Sequence, residues 1–116
     1  MKIRIRGNSI RYRLSMADVA RFGRDGYIEE VVDFGRSQLI YALQKGPNPK
    51  LEAEFMNSRI VVFMPYAQAS ELTNTDQVGF DHRGSGLYLL VEKDFKCIDN
   101  TLEDQSDNYP HPAGVC

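Results

Sequence analysis

Residues 2–14 read KIRIRGNSIRYRL and alternate charged with apolar side chains on both sides of a short break. An alternation with a period of two is typical of a strand that is buried on one face. Gly7 and Asn8 form the break, and both residue types tolerate the positive φ of a tight turn. The stretch therefore predicts a β-hairpin with Tyr12 and Leu14 facing inward and the basic side chains facing outward.

A helix, two strands and a linker are predicted to follow this hairpin. Ser15 can cap the helix, which we expect to run to about Arg24. Its partly apolar face is Met16, Val19, Ala20 and Phe22. Alternating apolar residues then indicate strands over residues 27–34 and 38–44. Gly46-Pro47-Asn48-Pro49 cannot lie inside a sheet, so it reads as a linker.

The same order of elements recurs in the second half of the chain. Strands are predicted over residues 51–55, 59–64, 78–81 and 87–92, with a helix over residues 66–73 that begins after Pro65. Leu14-Ser15 aligns with Met64-Pro65, an offset of 50 residues. An internal repeat of this kind predicts two pseudo-symmetric ββαββ units that share one core.

We therefore expect one α+β domain over residues 1–116. Repeat one covers about residues 2–45, repeat two about residues 51–93, and an extended C-terminal segment, residues 94–116, wraps over them. The repeats would form an antiparallel-rich sheet or a small barrel with two short helices. A chain of 116 residues has room for a single core of this size.

Charge is distributed unevenly along the chain. The formal net charge is -2, the sum of +3 for residues 1–36, -2 for residues 37–92 and -3 for residues 93–116. Arg4, Arg6, Arg11 and Arg13, together with Lys2, would lie on one face of the first hairpin. Such a face can bind phosphates, nucleic acid or an acidic partner. Docking of the chain's own acidic C-terminal segment is the alternative that we favour.

The C-terminal segment contains the residue types of a metal site. Cys97, His111 and Cys116, with Asp99 as a fourth ligand, could bind zinc or another transition metal. The spacing lacks a Cys-x-x-Cys pair that would form half of a site. The alternative is a buried Cys97, a surface His111 and a terminal Cys116 without a metal. No cofactor other than such a metal is expected.

Several stretches resemble a family of small bacterial proteins of unknown function. They are residues 2–9, residues 76–79, residues 90–97, and the segment Glu103-Asp104-Gln105-Ser106-Asp107-Asn108-Tyr109-Pro110 followed by a terminal cysteine. The resemblance covers essentially the whole chain and implies no activity. It also implies that asparagine can replace His111, which counts against a ligand role for this residue.

The sequence contains no recognisable catalytic motif, secretory signal or apolar run long enough to span a bilayer. We therefore expect a cytoplasmic, non-enzymatic binding or accessory module whose partner is a protein or a small ligand. The alternatives are a metal-binding protein or metalloenzyme and a nucleic-acid-binding protein. The oligomeric state is left open by the sequence.

Overall fold

The protein is described over residues 1–95 in a computed structural model. The order of elements within these residues is the one expected from the sequence, and the α+β class is confirmed. The strands are β1 (Lys2–Arg6), β2 (Ser9–Leu14), β3 (Tyr27–Asp33), β4 (Gln38–Gly46), β5 (Glu52–Met56), β6 (Arg59–Pro65), β7 (Gly79–Arg83) and β8 (Tyr88–Lys93), and the helices are α1 (Met16–Asp25) and α2 (Tyr66–Asn74). The expected C-terminal wrap lies outside the described residues from position 96 onward and stays a prediction.

Eight strands form two four-stranded mixed sheets over residues 1–95. The first sheet has the order β1-β2-β8-β7 and the second has the order β3-β4-β6-β5. The outer pairs of each sheet are antiparallel, whereas the central pairs, β2 with β8 and β4 with β6, are parallel. The expectation of antiparallel-rich sheets is thus confirmed, but the barrel is wrong. Each sheet ends in two edge strands, and the sheets bury side chains between them instead of closing into one ring.

The core lies between the two sheets and beneath the two helices. Tyr12 and Leu14 of β2 are buried as the alternation predicts. Phe22 of α1 and Leu72 of α2 are also fully buried, so each helix inserts one large side chain into the shared core. Met16 is 92% exposed, and its predicted place on the apolar face of α1 is therefore wrong.

Hydrogen bonds between the two halves of the chain come in matched pairs. The Tyr88 amide donates to the Asn8 carbonyl at 3.0 Å, and the Ile40 amide donates to the Ser58 carbonyl at 3.1 Å. The acceptors Asn8 and Ser58 are 50 positions apart, which is the offset of the sequence repeat, and the donors Ile40 and Tyr88 are 48 positions apart. Each half of the chain therefore contributes one hairpin to each sheet, and a hairpin of the other half completes that sheet. This arrangement favours pseudo-symmetry between the two ββαββ units, which we retain as a proposal.

Helix α1 begins with the cap that the sequence predicts. The Ser15 hydroxyl accepts a hydrogen bond from the Asp18 amide, and the Asp18 carboxylate accepts one from the Ser15 amide. This reciprocal arrangement satisfies two amides that would otherwise lack helical partners. The helix ends at Gly26, whose φ of 72° is a backbone conformation that glycine adopts without a steric penalty.

Met1 contacts three elements, through two ion pairs of its α-amine and one hydrogen bond to its carbonyl oxygen. The amine nitrogen lies 2.8 Å from Asp18 Oδ2 on α1 and 2.7 Å from Glu30 Oε2 on β3, and it is fully buried. Tyr41 on β4 donates a hydrogen bond to the Met1 carbonyl at 2.9 Å. These contacts tie the start of the first sheet to the second sheet. No local sequence pattern indicated them, because the partners are 17 and 29 positions from Met1 along the chain.

Because of this amine, the free energy of unfolding is expected to fall as pH rises in the alkaline range. Burial lowers the pKa of the Met1 amine, but hydrogen bonds to Asp18 and Glu30 outweigh burial and raise it above its ordinary value of 8.0. A raised pKa in the folded state stabilises the protein fully below pH 8.0, and this contribution is lost as pH rises through the folded pKa. Chemical denaturation between pH 7 and 9.5 is expected to show a falling free energy of unfolding, with a smaller fall in Asp18→Asn. Equal slopes in the two proteins would contradict this role.

Candidate functional site

The structure places the predicted anion-binding arginines on one face of the first sheet. Arg4 of β1 lies opposite Arg11 of β2, and Lys2 lies opposite Arg13. Arg6 follows two positions after Arg4 and shares its side of the strand. We call these five residues the basic surface. They line or adjoin a shallow groove of about 300 Å³ whose walls are Lys2, Ile3, Arg4, Arg11 and Arg13.

Acidic side chains of the same sheet offset part of this positive charge. Glu92 of β8 is only 7% exposed, and its Oε1 lies 3.0 Å from Arg13 Nε and 3.6 Å from Arg11 Nε. Lys2 Nζ lies 2.9 Å from Asp94 Oδ2, just after β8. Asp94, the first residue of the C-terminal segment, thus provides one of the acidic partners expected from that segment. The other acids of that segment lie outside the described residues.

The proposed metal ligands fall where the structure gives no description. Cys97, Asp99, His111 and Cys116 all lie beyond residue 95. In the part of the chain that is described, no cluster of three or more His, Cys, Asp or Glu side chains could hold a metal ion. The metal site therefore stays a prediction from the sequence.

A second exposed surface lies on the outer face of the second sheet. Strand pairing aligns Val31 of β3, Ile40 of β4, Arg59 of β6 and Met56 of β5 in one row across this face. Val31 and Met56 are 48% and 59% exposed. The alternation of buried and exposed positions assigns six large apolar side chains to this face. We call them the apolar surface: Tyr27, Val31, Ile40, Met56, Val61 and Phe63.

The apolar surface is distinct from the core. The opposite face of the same strands carries Leu43 and Val62, which are 0% and 1% exposed and belong to the core cluster. Ile40, Val61 and Phe63 are only partly buried and are absent from the side chains that pack against this cluster. The central strands of the second sheet therefore carry apolar side chains on both faces, and only one of these faces packs against the core.

Acidic residues border the apolar surface on both edge strands. Glu29 and Asp33 lie on β3, while Glu52 and Glu54 lie on β5. Arg59 lies on β6, a central strand, and its Nη2 is 3.2 Å from Glu29 Oε1. Its guanidinium carbon lies over the Tyr27 ring, 5.5 Å from the ring centroid. The face thus combines apolar side chains and one Arg–Glu ion pair with a net acidic border. This is the anatomy of a protein-binding surface.

A signal for the apolar surface is present in the sequence, although strand alternation alone misses it. Residues 39–43 read LIYAL and residues 60–64 read IVVFM, each without a polar residue. A strand with one solvated face would alternate, whereas an uninterrupted apolar run is typical of a strand covered on both faces. The two runs belong to β4 and β6, the central strands of the second sheet.

The fold thus defines a small α+β protein with two mixed sheets, one with a basic outer face and one with an apolar outer face. The chain belongs to a family of unknown function, DUF7009, whose model matches residues 1–113. No curated protein and no solved structure matches it. The resemblance to a family of unknown function is confirmed, while bacterial origin and the C-terminal motif stay predictions. Neither helix of residues 1–95 is long and apolar enough to cross a bilayer.

Proposed function

We propose that this protein is a non-enzymatic binding module that uses the apolar surface to bind another protein. The observation that carries the proposal is the doubly apolar character of β4 and β6. Val31 and Met56 are exposed on this face, its other four apolar side chains are half-buried, and apolar patches at the surface commonly mark interaction sites. The expected setting of this interaction is the cytoplasm.

The border of the apolar surface specifies the chemistry of the partner. Glu29, Asp33, Glu52 and Glu54 outnumber the single central cation, Arg59, on this face. Charge complementarity steers association and disfavours partners of the wrong sign. The partner is therefore a protein segment that presents apolar side chains flanked by Lys or Arg.

A defined peptide tests this proposal without knowledge of the natural partner. A short peptide in which Leu and Lys alternate is expected to bind and to shift the amide NMR signals of β4 and β6. A matched peptide in which Leu and Glu alternate is expected to bind much less, because the acidic border repels it. Binding of both peptides alike, or shifts located away from the second sheet, would overturn the assignment.

Paired variants distinguish binding at the apolar surface from nonspecific hydrophobic binding. Val31→Thr with Val61→Thr preserves shape and strand preference but removes apolar contacts. We expect this variant to bind the Leu-Lys peptide about tenfold more weakly, or ~1.4 kcal/mol. The control is Val32→Thr with Val78→Thr, two residues that are 40% and 50% exposed outside the apolar surface. Equal losses in both variants would contradict the proposal.

Anion binding on the basic surface remains a second candidate with weaker support. Its positive charge is favourable for phosphates, but Glu92 and Asp94 already form ion pairs with Arg13 and Lys2. Tyr12, the aromatic residue of the hairpin, is fully buried and offers no stacking platform. The apolar surface therefore supports protein binding more strongly than the basic surface supports nucleic-acid binding.

A further inference from the structure

Two edge strands of this molecule carry opposite patterns of charge. The sequence of β1 is KIRIR, with outward Lys2, Arg4 and Arg6, and the sequence of β5 is EAEFM, with outward Glu52 and Glu54. Within residues 1–95, β1 pairs with β2 and β5 pairs with β6, and each forms one border of its sheet. The two strands have the same length, and both alternate charged with apolar residues over their first four positions.

The inward-facing side chains of these edge strands are poorly covered at one end. Ile5 of β1 is 58% exposed and Phe55 of β5 is 70% exposed, although both lie on the core side of their sheets. Val62 and Tyr12, which lie deeper on the same sides, are almost fully buried. Each edge therefore presents an apolar side chain beside a row of like charges.

From this complementarity we propose that β1 of one copy pairs edge to edge with β5 of a second copy. A centred antiparallel pairing places Arg6 opposite Glu52 and Arg4 opposite Glu54 on the outer face, and Ile3 opposite Phe55 on the inner face. Opposite charges that face each other across strands are favourable, whereas like charges are unfavourable. Pairing of β1 with β1 or of β5 with β5 is thus disfavoured, and the contact joins copies head to tail.

Such a contact is heterologous, because it uses a different strand on each copy. Repetition of a heterologous contact produces a ring or an open chain of copies. The contact also converts the two sheets of neighbouring copies into one continuous sheet, as in recognition by strand addition. It uses strand edges and not the apolar side chains of β4 and β6, although Glu52 and Glu54 of β5 also belong to the acidic border of the apolar surface.

Charge reversal on each edge separately is the test. Glu52→Lys with Glu54→Lys makes both edges positive, and Arg4→Glu with Arg6→Glu reverses the two charges of β1 that the pairing places opposite these glutamates. Wild-type protein is expected to show a mass that rises above 13.2 kDa with concentration in analytical ultracentrifugation. Each reversed variant alone is expected to lose this rise.

Mixing supplies the decisive control, because the reversed edges complement each other. An equimolar mixture of the two variants is expected to regain association, which misfolding or loss of a structural contact would not produce. A third variant, Arg36→Glu with Glu71→Lys, changes exposed charges away from both edges and should associate like wild type. Wild-type protein that stays at 13.2 kDa, or association that survives both reversals, would overturn the proposal. Unchanged peptide binding by the β1 variant, whose substitutions lie on the first sheet, would show that the proposed function is separate.

Discussion

Replacement of Asp18 by asparagine is expected to lower the free energy of unfolding by about 3 kcal/mol, because it removes one partner of a buried ion pair. Asp18 is only 4% exposed, and its carboxylate contacts the Met1 amine, the Ser15 amide and the Arg21 guanidinium, each at 2.8 Å. Burial opposes the charge, but these hydrogen bonds outweigh burial and hold the pKa of Asp18 well below its usual range. Chemical denaturation at pH 7 measures the loss.

Acid titration provides a second readout of the same carboxylate. The pKa of Asp18 is lower in the folded state. The stabilisation that its charge provides is therefore complete above the ordinary pKa of 3.8 and is lost as pH falls through the folded pKa. The difference in stability between wild type and Asp18→Asn should therefore shrink in strong acid. Asp25→Asn is the matched control, because this half-exposed aspartate forms only a surface ion pair with Arg24 and its replacement should have no measurable effect. Equal stability of the two variants would contradict the importance of the buried cluster.

Replacement of Gly79 by alanine is expected to lower the free energy of unfolding by about 1–3 kcal/mol, the usual cost of inserting an atom into a packed site. A Cβ at this position would lie 2.4 Å from the Val91 carbonyl oxygen and 2.8 Å from Glu92 Cα. Both atoms belong to the backbone of β8, so β7 would have to move away from its neighbour. Chemical denaturation measures the loss, and amide hydrogen exchange should show weaker protection in β7.

Gly84 supplies a control in the same region. A Cβ there would have its nearest contact with His82 Nε2 at 3.7 Å, an ordinary van der Waals distance. Gly84→Ala should therefore be as stable as wild type, or slightly more stable because alanine restricts the unfolded chain. If Gly79→Ala and Gly84→Ala have the same stability, the close approach of β7 to β8 is not what requires glycine at position 79.

Local pattern was sufficient to predict the elements but insufficient to predict every exposed side chain. The alternation around Tyr12 and the Ser15 cap identify a strand and a helix start because each depends on neighbours in sequence. Alternation over residues 27–34 puts Ile28 and Phe34 on the same side of a strand, yet Phe34 is 67% exposed and Ile28 is buried. Phe34 follows the last residue of β3, and no local pattern records which residues at the end of a strand the core covers.

The candidate surfaces were predictable to different degrees. Arg4 and Arg11 were assigned to one face because hairpin register follows from the turn and the alternation. The apolar surface was missed because an apolar run such as residues 60–64 is equally consistent with burial against the core on both sides. Only the arrangement of the two sheets shows that Val62 faces the core and Val61 faces away from it.

Local sequence patterns located the strands, turns and helices, and they indicated that two halves share one order of elements. They also placed the basic residues of β1 and β2 on a common face. Tertiary structure alone decided that β2 runs parallel to β8 and β4 parallel to β6, and that the two sheets do not close into a barrel. The physical reason is the range of the interactions. Periodicity acts between neighbours, whereas Arg13 meets Glu92 across 79 positions and the Met1 amine meets Glu30 across 29.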